Sequence, residues 1–355
     1  MRVLTIAGTR PELIRLSVII NKLDKLVDHV LVFTNQNYTA SLSTVFFDEL
    51  RIRNPDYIFK PQSGFSKFLG NALIEFEEIL KKEKPDKILI LGDTNSGLLS
   101  ILANRNGIPI IHMEAGNRCF NDLVPEEGNR KIIDSLSTYN LPYTDNSKQN
   151  LLNEGYHKNK VFKIGNPILE VLNYYKKDID SSDILDRLAL NKQTYVLVTA
   201  HRAENVDNLE VLSNIVNAIN TISKTYKVLF SVHPRTKDKI IGSGLTFTSE
   251  RVILSEPLGF FDFVNLEKNS KMVISDSGTV TEETCLFGIH SIIIRESTER
   301  QELIECGSSI LTGTKYENML DAFNILNKRS IRWFPPSDYL VENVSDIVIN
   351  IILGK

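Results

Sequence analysis

Short, wholly aliphatic runs recur along this chain, each joined by a turn to an amphipathic stretch of helical length. Ile88-Leu89-Ile90-Leu91 and Ile108-Pro109-Ile110-Ile111 are the clearest. A strand without a polar face cannot lie against water. It belongs in a parallel sheet that helices cover on both faces. Val3–Ala7 leads into a helical pattern from Pro11 to about Lys25. Val30–Thr34 precedes the segment Ser41–Leu50. A helical stretch Ser66–Lys82 leads to Lys87–Leu91, then a helix over Ser96–Asn106, the strand Ile108–Met113 and a helix over Glu127–Ser137. The alternation of strand and helix predicts a doubly wound α/β architecture.

The same grammar restarts after a weak helical stretch, Ile184–Leu188. It gives Tyr195–Thr199, a helix from about Leu209 to Lys224, Val228–Val232, Lys271–Ser275, a helix over Thr279–Phe287, Ser291–Ile294 and a helix over Met319–Asn327. Two Rossmann-like domains follow, 1–166 and 167–339, with the boundary in the turn Ile164-Gly165-Asn166-Pro167. A final helix within 340–355 carries Leu340, Val344, Ile347, Val348, Ile351 and Ile352 on one stripe, so it docks on something. Ligands in such sheets bind beyond the carboxyl ends of the strands, and two facing domains place the expected site in the cleft between them.

Composition narrows the function. At 355 residues the chain has room for two domains, and a net charge of −3 gives no electrostatic case for nucleic acid or an anionic membrane. No stretch reaches the roughly 20 apolar residues that span a bilayer. The first residues lack a secretory pattern. Three cysteines, Cys119, Cys285 and Cys306, form no Cys-x-x-Cys pair, which argues against a cysteine zinc site and for reduced thiols in the cytoplasm.

Six polar clusters fall where strands end. Gly8-Thr9-Arg10-Pro11-Glu12 opens a helix. Arg10 there opposes the helix dipole unless an anion is present, and Arg15 lies about one turn on. The Gly-x-Gly-x-x-Gly fingerprint of tight NAD binding is absent. Asp93, in Gly92-Asp93-Thr94-Asn95, suits a helix cap equally well. His112-Met113-Glu114-Ala115-Gly116-Asn117-Arg118 places titratable groups where burial is costly; without a Pro-Cys-x-x-Cys partner it is no zinc deaminase motif. Pro125-Glu126-Glu127-Gly128-Asn129-Arg130 starts another helix, where one glutamate can serve the dipole alone. His201, in His201-Arg202-Ala203-Glu204-Asn205, and His233, in His233-Pro234-Arg235, follow strands of the second half. Ser275-Asp276-Ser277-Gly278-Thr279, followed by Glu282 and Glu283, forms a second helix-start anion site, or a simple cap by Ser277. Two anion sites and several carboxylates fit a diphosphate and a polyol, which together make a sugar nucleotide.

In order and spacing these residues resemble the non-hydrolysing UDP-N-acetylglucosamine 2-epimerase family. The landmarks are Gly-Thr-Arg-Pro-Glu at 8–12, Gly-Asp-Thr at 92–94, His-x-Glu-Ala-Gly-x-Arg at 112–118, Pro-Glu-Glu-x-Asn-Arg at 125–130 and His-Arg-x-Glu-Asn at 201–205. His-Pro at 233–234, Asp-Ser-Gly at 276–278 with Glu-Glu at 282–283, and Thr-Glu-Arg at 298–300 complete them. The resemblance implies a GT-B-like fold in which the last helix packs back across the domain junction. It implies catalytic roles for Asp93, Glu114, Glu126 and His201. It implies UDP-sugar binding by Arg10, Arg15, Arg130, His233, Ser277, Gly278, Thr279, Glu283 and Arg300, with Phe263 near the uracil. It further implies a cytoplasmic homodimer that needs neither metal nor cofactor. Its reaction would be inversion at C2 by elimination and re-addition of UDP through a 2-acetamidoglycal.

The chain departs from the family pattern at Arg15, for a lysine, at Ala203, for an arginine, and at Thr279, for a glycine. Asn35-Gln36-Asn37-Tyr38 stands where the family has the Gly-Gln-His of a regulatory UDP-sugar site. Asn117-Arg118-Cys119-Phe120 resembles a branch acting on UDP-2-acetamido-2,6-dideoxy-L-talose, which keeps that substrate open. A glycosyltransferase of the same fold is the rival of a different reaction class.

Overall fold

The computed structural model describes every residue except 37–45, 63, 233, 329–331 and 355, and the side chain of Arg235. His233, Asn37, Tyr38 and the first half of the expected Ser41–Leu50 element therefore lie outside the described residues. The chain divides into two compact units. One comprises Met1–Tyr174 and the stretch from Ser337 onward; the other is Tyr175–Pro336.

In the first unit the elements run β1 (Arg2–Ala7), α1 (Arg10–Leu26), β2 (Asp28–Phe33), β3 (Tyr57–Ile58), α2 (Phe65–Glu83), β4 (Lys87–Leu91), α3 (Ser100–Arg105), β5 (Ile110–Met113), α4 (Pro125–Leu136), β6 (Tyr139–Leu141), α5 (Asp145–Asn153) and α6 (Ile168–Tyr174). The expected helix at Ser96 begins as a 3-10 turn over Asn95–Leu99 before α3. The sheet is six-stranded and parallel, in the order β3-β2-β1-β4-β5-β6. The order reverses between β1 and β4, whose pairing sets Val3 beside Lys87 and Ile6 beside Ile90. On one face Leu4, Ile6, Ile88 and Ile90 meet Phe68, Phe76 and Ile79 of α2.

The second unit repeats the plan. Its elements are α7 (Lys176–Asp180), α8 (Ile184–Arg187), β7 (Tyr195–Thr199), α9 (Ala203–Val206), α10 (Leu209–Ile222), β8 (Lys227–Ser231), α11 (Pro234–Gly242), β9 (Val252–Ser255), α12 (Phe260–Asn269), β10 (Met272–Ser275), α13 (Gly278–Phe287), β11 (Ser291–Ile293), α14 (Gln301–Glu305), β12 (Ser309–Leu311) and α15 (Tyr316–Lys328). The parallel order is β12-β11-β10-β7-β8-β9. Val196 and Val198 pack with α10 and α15, while Tyr195 and Leu197 pack on the other face with Leu266 of α12 and Val280 of α13. Successive residues thus serve opposite cores, which is why the run must be apolar throughout.

The last helix, α16 (Val344–Leu353), begins four residues later than its apolar stripe and follows a 3-10 turn at Ser337–Tyr339. It packs on α1 within the first unit. The Ser345 amide donates to Glu170 of α6 at 2.8 Å. α6 also packs on α1, so the first unit runs on to Tyr174, past the turn at Ile164–Pro167. Gly165 has φ +85°, and a Cβ there would stand 2.6 Å from Cβ of Val341. Only glycine allows the two chain segments to pass this closely.

Candidate active site

Both strand-order reversals gather polar loops. In the first unit β1 ends in Gly8-Thr9-Arg10. A Cβ on Gly8 would come 2.0 Å from Oγ of Ser96 and 2.4 Å from Oγ1 of Thr34, so this turn is pressed against its neighbours. Glu12 folds back from α1. One of its oxygens accepts from the Gly8 amide (3.0 Å) and the Thr9 hydroxyl (2.7 Å), the other from the Thr94 hydroxyl (3.0 Å). It ties the end of β1 to the loop after β4. Burial raises its carboxyl to about 7, against those hydrogen bonds. Arg10 is partly buried with its guanidinium 5.0 Å over the ring of Phe46, and among the described residues no carboxylate pairs with it. Desolvation lowers its pKa, the state of a cation short of an anion.

Three carboxylates, two just past the next strand ends and one at the start of α4, stand in three different settings. Glu114 follows β5 with φ +66°, a strained conformation for a residue with a side chain. Its backbone amide donates to Leu141 of β6 (3.1 Å). Its carboxylate takes a charge-assisted bond from Arg15 on α1 and another from the Asn117 amide (3.1 Å). Asp93, after β4, accepts from Nε of Arg130 on α4 (2.8 Å), while Asn129 donates to its carbonyl (2.9 Å). Glu126, in the first turn of α4, is half-buried and has no hydrogen-bond or ion-pair partner among the described residues. Its neighbour Glu127 is the one consumed by structure. It accepts from the amides of Cys119 (3.0 Å) and Phe120 (3.3 Å) and pairs with Arg130 (2.8 Å). Spending Glu127 in this way leaves Glu126 available.

His112 has a structural use that its sequence context did not reveal. One ring nitrogen lies 2.8 Å from the Gly92 carbonyl, next to Asp93, and the other 2.8 Å from Oδ1 of Asp134. Asp134 also accepts from Arg118 (2.8 Å) and from the Gly116 amide (3.2 Å). Burial pushes the Asp134 carboxyl up, but His112 and Arg118 outweigh it and hold the group below its ordinary value. This network fixes the loops that bear Asp93 and Glu114 from behind.

In the second unit His201 follows β7 with a half-exposed ring, and its Nδ1 lies 3.1 Å from Oδ1 of Asp276 at the end of β10. The other oxygen of Asp276 accepts from the amides of His201 (3.0 Å) and Arg202 (2.9 Å) and from the side chain of Asn205 (3.0 Å). Burial opposes ionisation, yet His201 and the Arg202 amide carry the carboxyl down to about 2. Asp276 is thus the latch for the histidine loop, a role its sequence context did not announce.

α13 starts at Gly278, and the Ser277 side chain makes no cap on the amides of its first turn. The segment after β11 lies over this start. A Cβ on Gly278 would be 3.3 Å from Oε1 of Glu299 and 3.8 Å from Nε of Arg300. Arg300 pairs with Glu282, and buried Arg295 donates to Glu299 (2.9 Å) while its Nε and Nη2 find no hydrogen-bond partner among the described residues. Thr279, beside Gly278, is half-buried. Glu283 faces inward against Glu267, whose wholly buried carboxyl is held well above its ordinary value by burial and by Glu283. Phe263, on α12, lies half-buried against the Tyr195–Leu197 core. Sequence reasoning missed Arg295 and Glu267 because neither sits in a motif; the signal was a charged residue one step after an apolar strand, and one inside an apolar helix face. Among the described residues no group of three or more His, Cys, Asp or Glu side chains is placed to hold a metal ion, and no helix is long and apolar enough to cross a membrane.

The sequence model of the UDP-N-acetylglucosamine 2-epimerase family matches residues 21–353. The chain is 38% identical over 348 residues to the UDP-N-acetylglucosamine 2-epimerase of Methanocaldococcus jannaschii, covering 95% of each. It is 37% identical over 361 residues to that of Methanococcus maripaludis, covering 99% of this chain and 98% of the relative. The crystal structure of the M. jannaschii enzyme in complex with UDP-GlcNAc and UDP superposes with a TM-score of 0.93 at 35% identity, with 99% of both chains covered. Two parallel six-stranded sheets flanked by helices, a GT-B-like fold and these likenesses over nearly the full length have one reading: the chain belongs to the UDP-N-acetylglucosamine 2-epimerase family, whose members are isomerases.

Proposed function

We propose that the protein interconverts UDP-N-acetylglucosamine and UDP-N-acetylmannosamine. The observation that carries the reading is a set of three carboxylates, two at neighbouring strand ends paired with Arg15 and Arg130, and one in the first turn of α4 with no partner among the described residues. Moving a proton off one face of C2 and onto the other needs a base and an acid held in different protonation states, and different partners are how one site sustains both. Asp93, Glu114 and Glu126 are the groups for that work. As the C2–H bond breaks, C1=C2 forms and the C1–O bond gives its electron pair to the departing UDP. UDP adds back after the proton returns to the opposite face. The uncapped start of α13, Ser277, Gly278, Thr279 and Arg300 take the diphosphate, and His201, oriented by Asp276, stabilises the leaving charge. Arg10 adds a cation, Glu283 takes the ribose, Phe263 the uracil, and His233 completes the binding set. The reaction is redox-neutral, so no step requires NAD.

Likeness to enzymes named for UDP-N-acetylglucosamine supports this substrate over the 6-deoxy-talose nucleotide and over glycosyl transfer. The protein then acts as a cytoplasmic homodimer that supplies an amino sugar for cell-surface polysaccharide. Turnover in heavy water tests the reading. Sugar recovered from UDP-N-acetylglucosamine should carry deuterium at C2; product without exchange, or exchange at C4, refutes it.

A further inference from the structure

Two of the three cysteines meet in the second unit, and neither is among the residues assigned above. Cys285 lies in the last turns of α13, Cys306 directly follows α14, and their Sγ atoms are 3.9 Å apart. That is contact distance for two thiols, and a disulfide of about 2.05 Å needs each sulfur to move roughly 1 Å.

The two thiols are not equivalent. Cys285 is buried, and its carbonyl accepts from Nε1 of Trp333 (3.1 Å). Cys306 is half-exposed. Its Sγ lies 3.5 Å from the Leu303 carbonyl, to which it donates, and the Cys285 contact and Ser308 together hold its pKa below the ordinary thiol value. The same contact, with burial, drives Cys285 upward. One sulfur is therefore reachable from solvent and the other enclosed beside it, the arrangement of an attacking and a resolving cysteine. Cys119 offers no such pairing: it is buried, with its thiol on Glu127 at 3.3 Å.

We propose that Cys306 is a site of oxidation by hydroperoxides and that Cys285 resolves it into a reversible intrachain disulfide. The Cys306 thiolate attacks the outer oxygen of the peroxide, the O–O bond breaks, and an alcohol or water leaves once its oxygen takes a proton. Sulfur is oxidised to sulfenic acid as the peroxide is reduced. The Cys285 sulfur then attacks the sulfenic sulfur, forming S–S and releasing hydroxide, which takes up the Cys285 proton as water. The closed bridge ties α13 to the end of α14, the two helices that present Gly278 and Arg300.

The test treats the full chain with hydrogen peroxide, blocks remaining thiols under denaturing conditions and maps unreduced peptides. Free thiols should fall from three to one. The new species should be a Cys285–Cys306 peptide pair, two hydrogens lighter than its parts and split by dithiothreitol. Cys285→Ser should leave a sulfenic acid on Cys306 that dimedone captures; Cys306→Ser should leave Cys285 unoxidised. Three alkylatable thiols after peroxide, sulfinic acid on Cys306 of the unaltered protein without a bridge, or a bridge that includes Cys119 would each overturn the proposal.

Discussion

Glu12 carries a buried carboxyl whose pKa is raised to about 7 from an ordinary value of 4.5. The folded protein keeps that proton up to about pH 7, while the unfolded chain releases it near 4.5. Between those values the unfolded state binds fewer protons, so stability falls as the pH rises through the window and is flat above it. Glu12→Gln keeps an acceptor for Gly8 and Thr9 and removes the titration. Its unfolding free energy, from urea curves, should lose a pH dependence worth on the order of 3 kcal/mol between pH 4.5 and 7; an identical slope in both proteins would place the proton elsewhere. For Asp93→Asn and Glu114→Gln, turnover should fall about 10²–10⁴-fold with UDP affinity retained within a few-fold. Kinetics paired with calorimetric titration of UDP separates the two, and unchanged turnover would remove these residues from the acid–base machinery. Residue types and spacing were enough to nominate Asp93, Glu114, Glu126 and His201. Their partners were not legible: Arg15 is 99 residues from Glu114, and Asp276 is 75 from His201.

At the scale of elements, the strands read from sequence were the eight inner ones. The four that escaped, β3, β6, β9 and β12, are the sheet edges. An inner strand is apolar on both faces and stands out. An edge strand here is short, and Tyr57-Ile58 or Tyr139-Asn140-Leu141 carries no such run. The late start of α16 has a similar cause, since Leu340 continues the apolar stripe in a segment that is not helical. The turn at Gly165 shows how tightly elements are joined. Gly165→Ala would combine a left-handed conformation with overlap against Val341, at a cost of about 2–4 kcal/mol. Chemical denaturation should show this as a lower midpoint with an unchanged slope; an unaltered midpoint would mean that the segment simply moves aside.

At the scale of the whole molecule, the first unit is discontinuous: its core is completed by residues that follow the entire second unit. Tyr339, Val344, Val348 and Ile352 are wholly buried. Each is worth about 1.5–3 kcal/mol of burial, so together they approach the net stability of an ordinary domain. A chain ending at Pro336 should therefore lose amide-exchange protection across β1–β6 while β7–β12 keep theirs, which hydrogen exchange with mass spectrometry reads segment by segment. Uniform protection in both sheets would show that α16 is dispensable. Sequence by itself determined the doubly wound class, the inner strands, the helices that cover them and the family, because burial on two faces and motif spacing are written locally. Tertiary structure decided which carboxylate is neutralised, which glutamate of the pair at 126–127 is spent, what His112 and Asp276 hold in place, and that Cys285 touches Cys306. Those outcomes depend on a strand order that brings distant segments together within each unit, and no local pattern encodes that order.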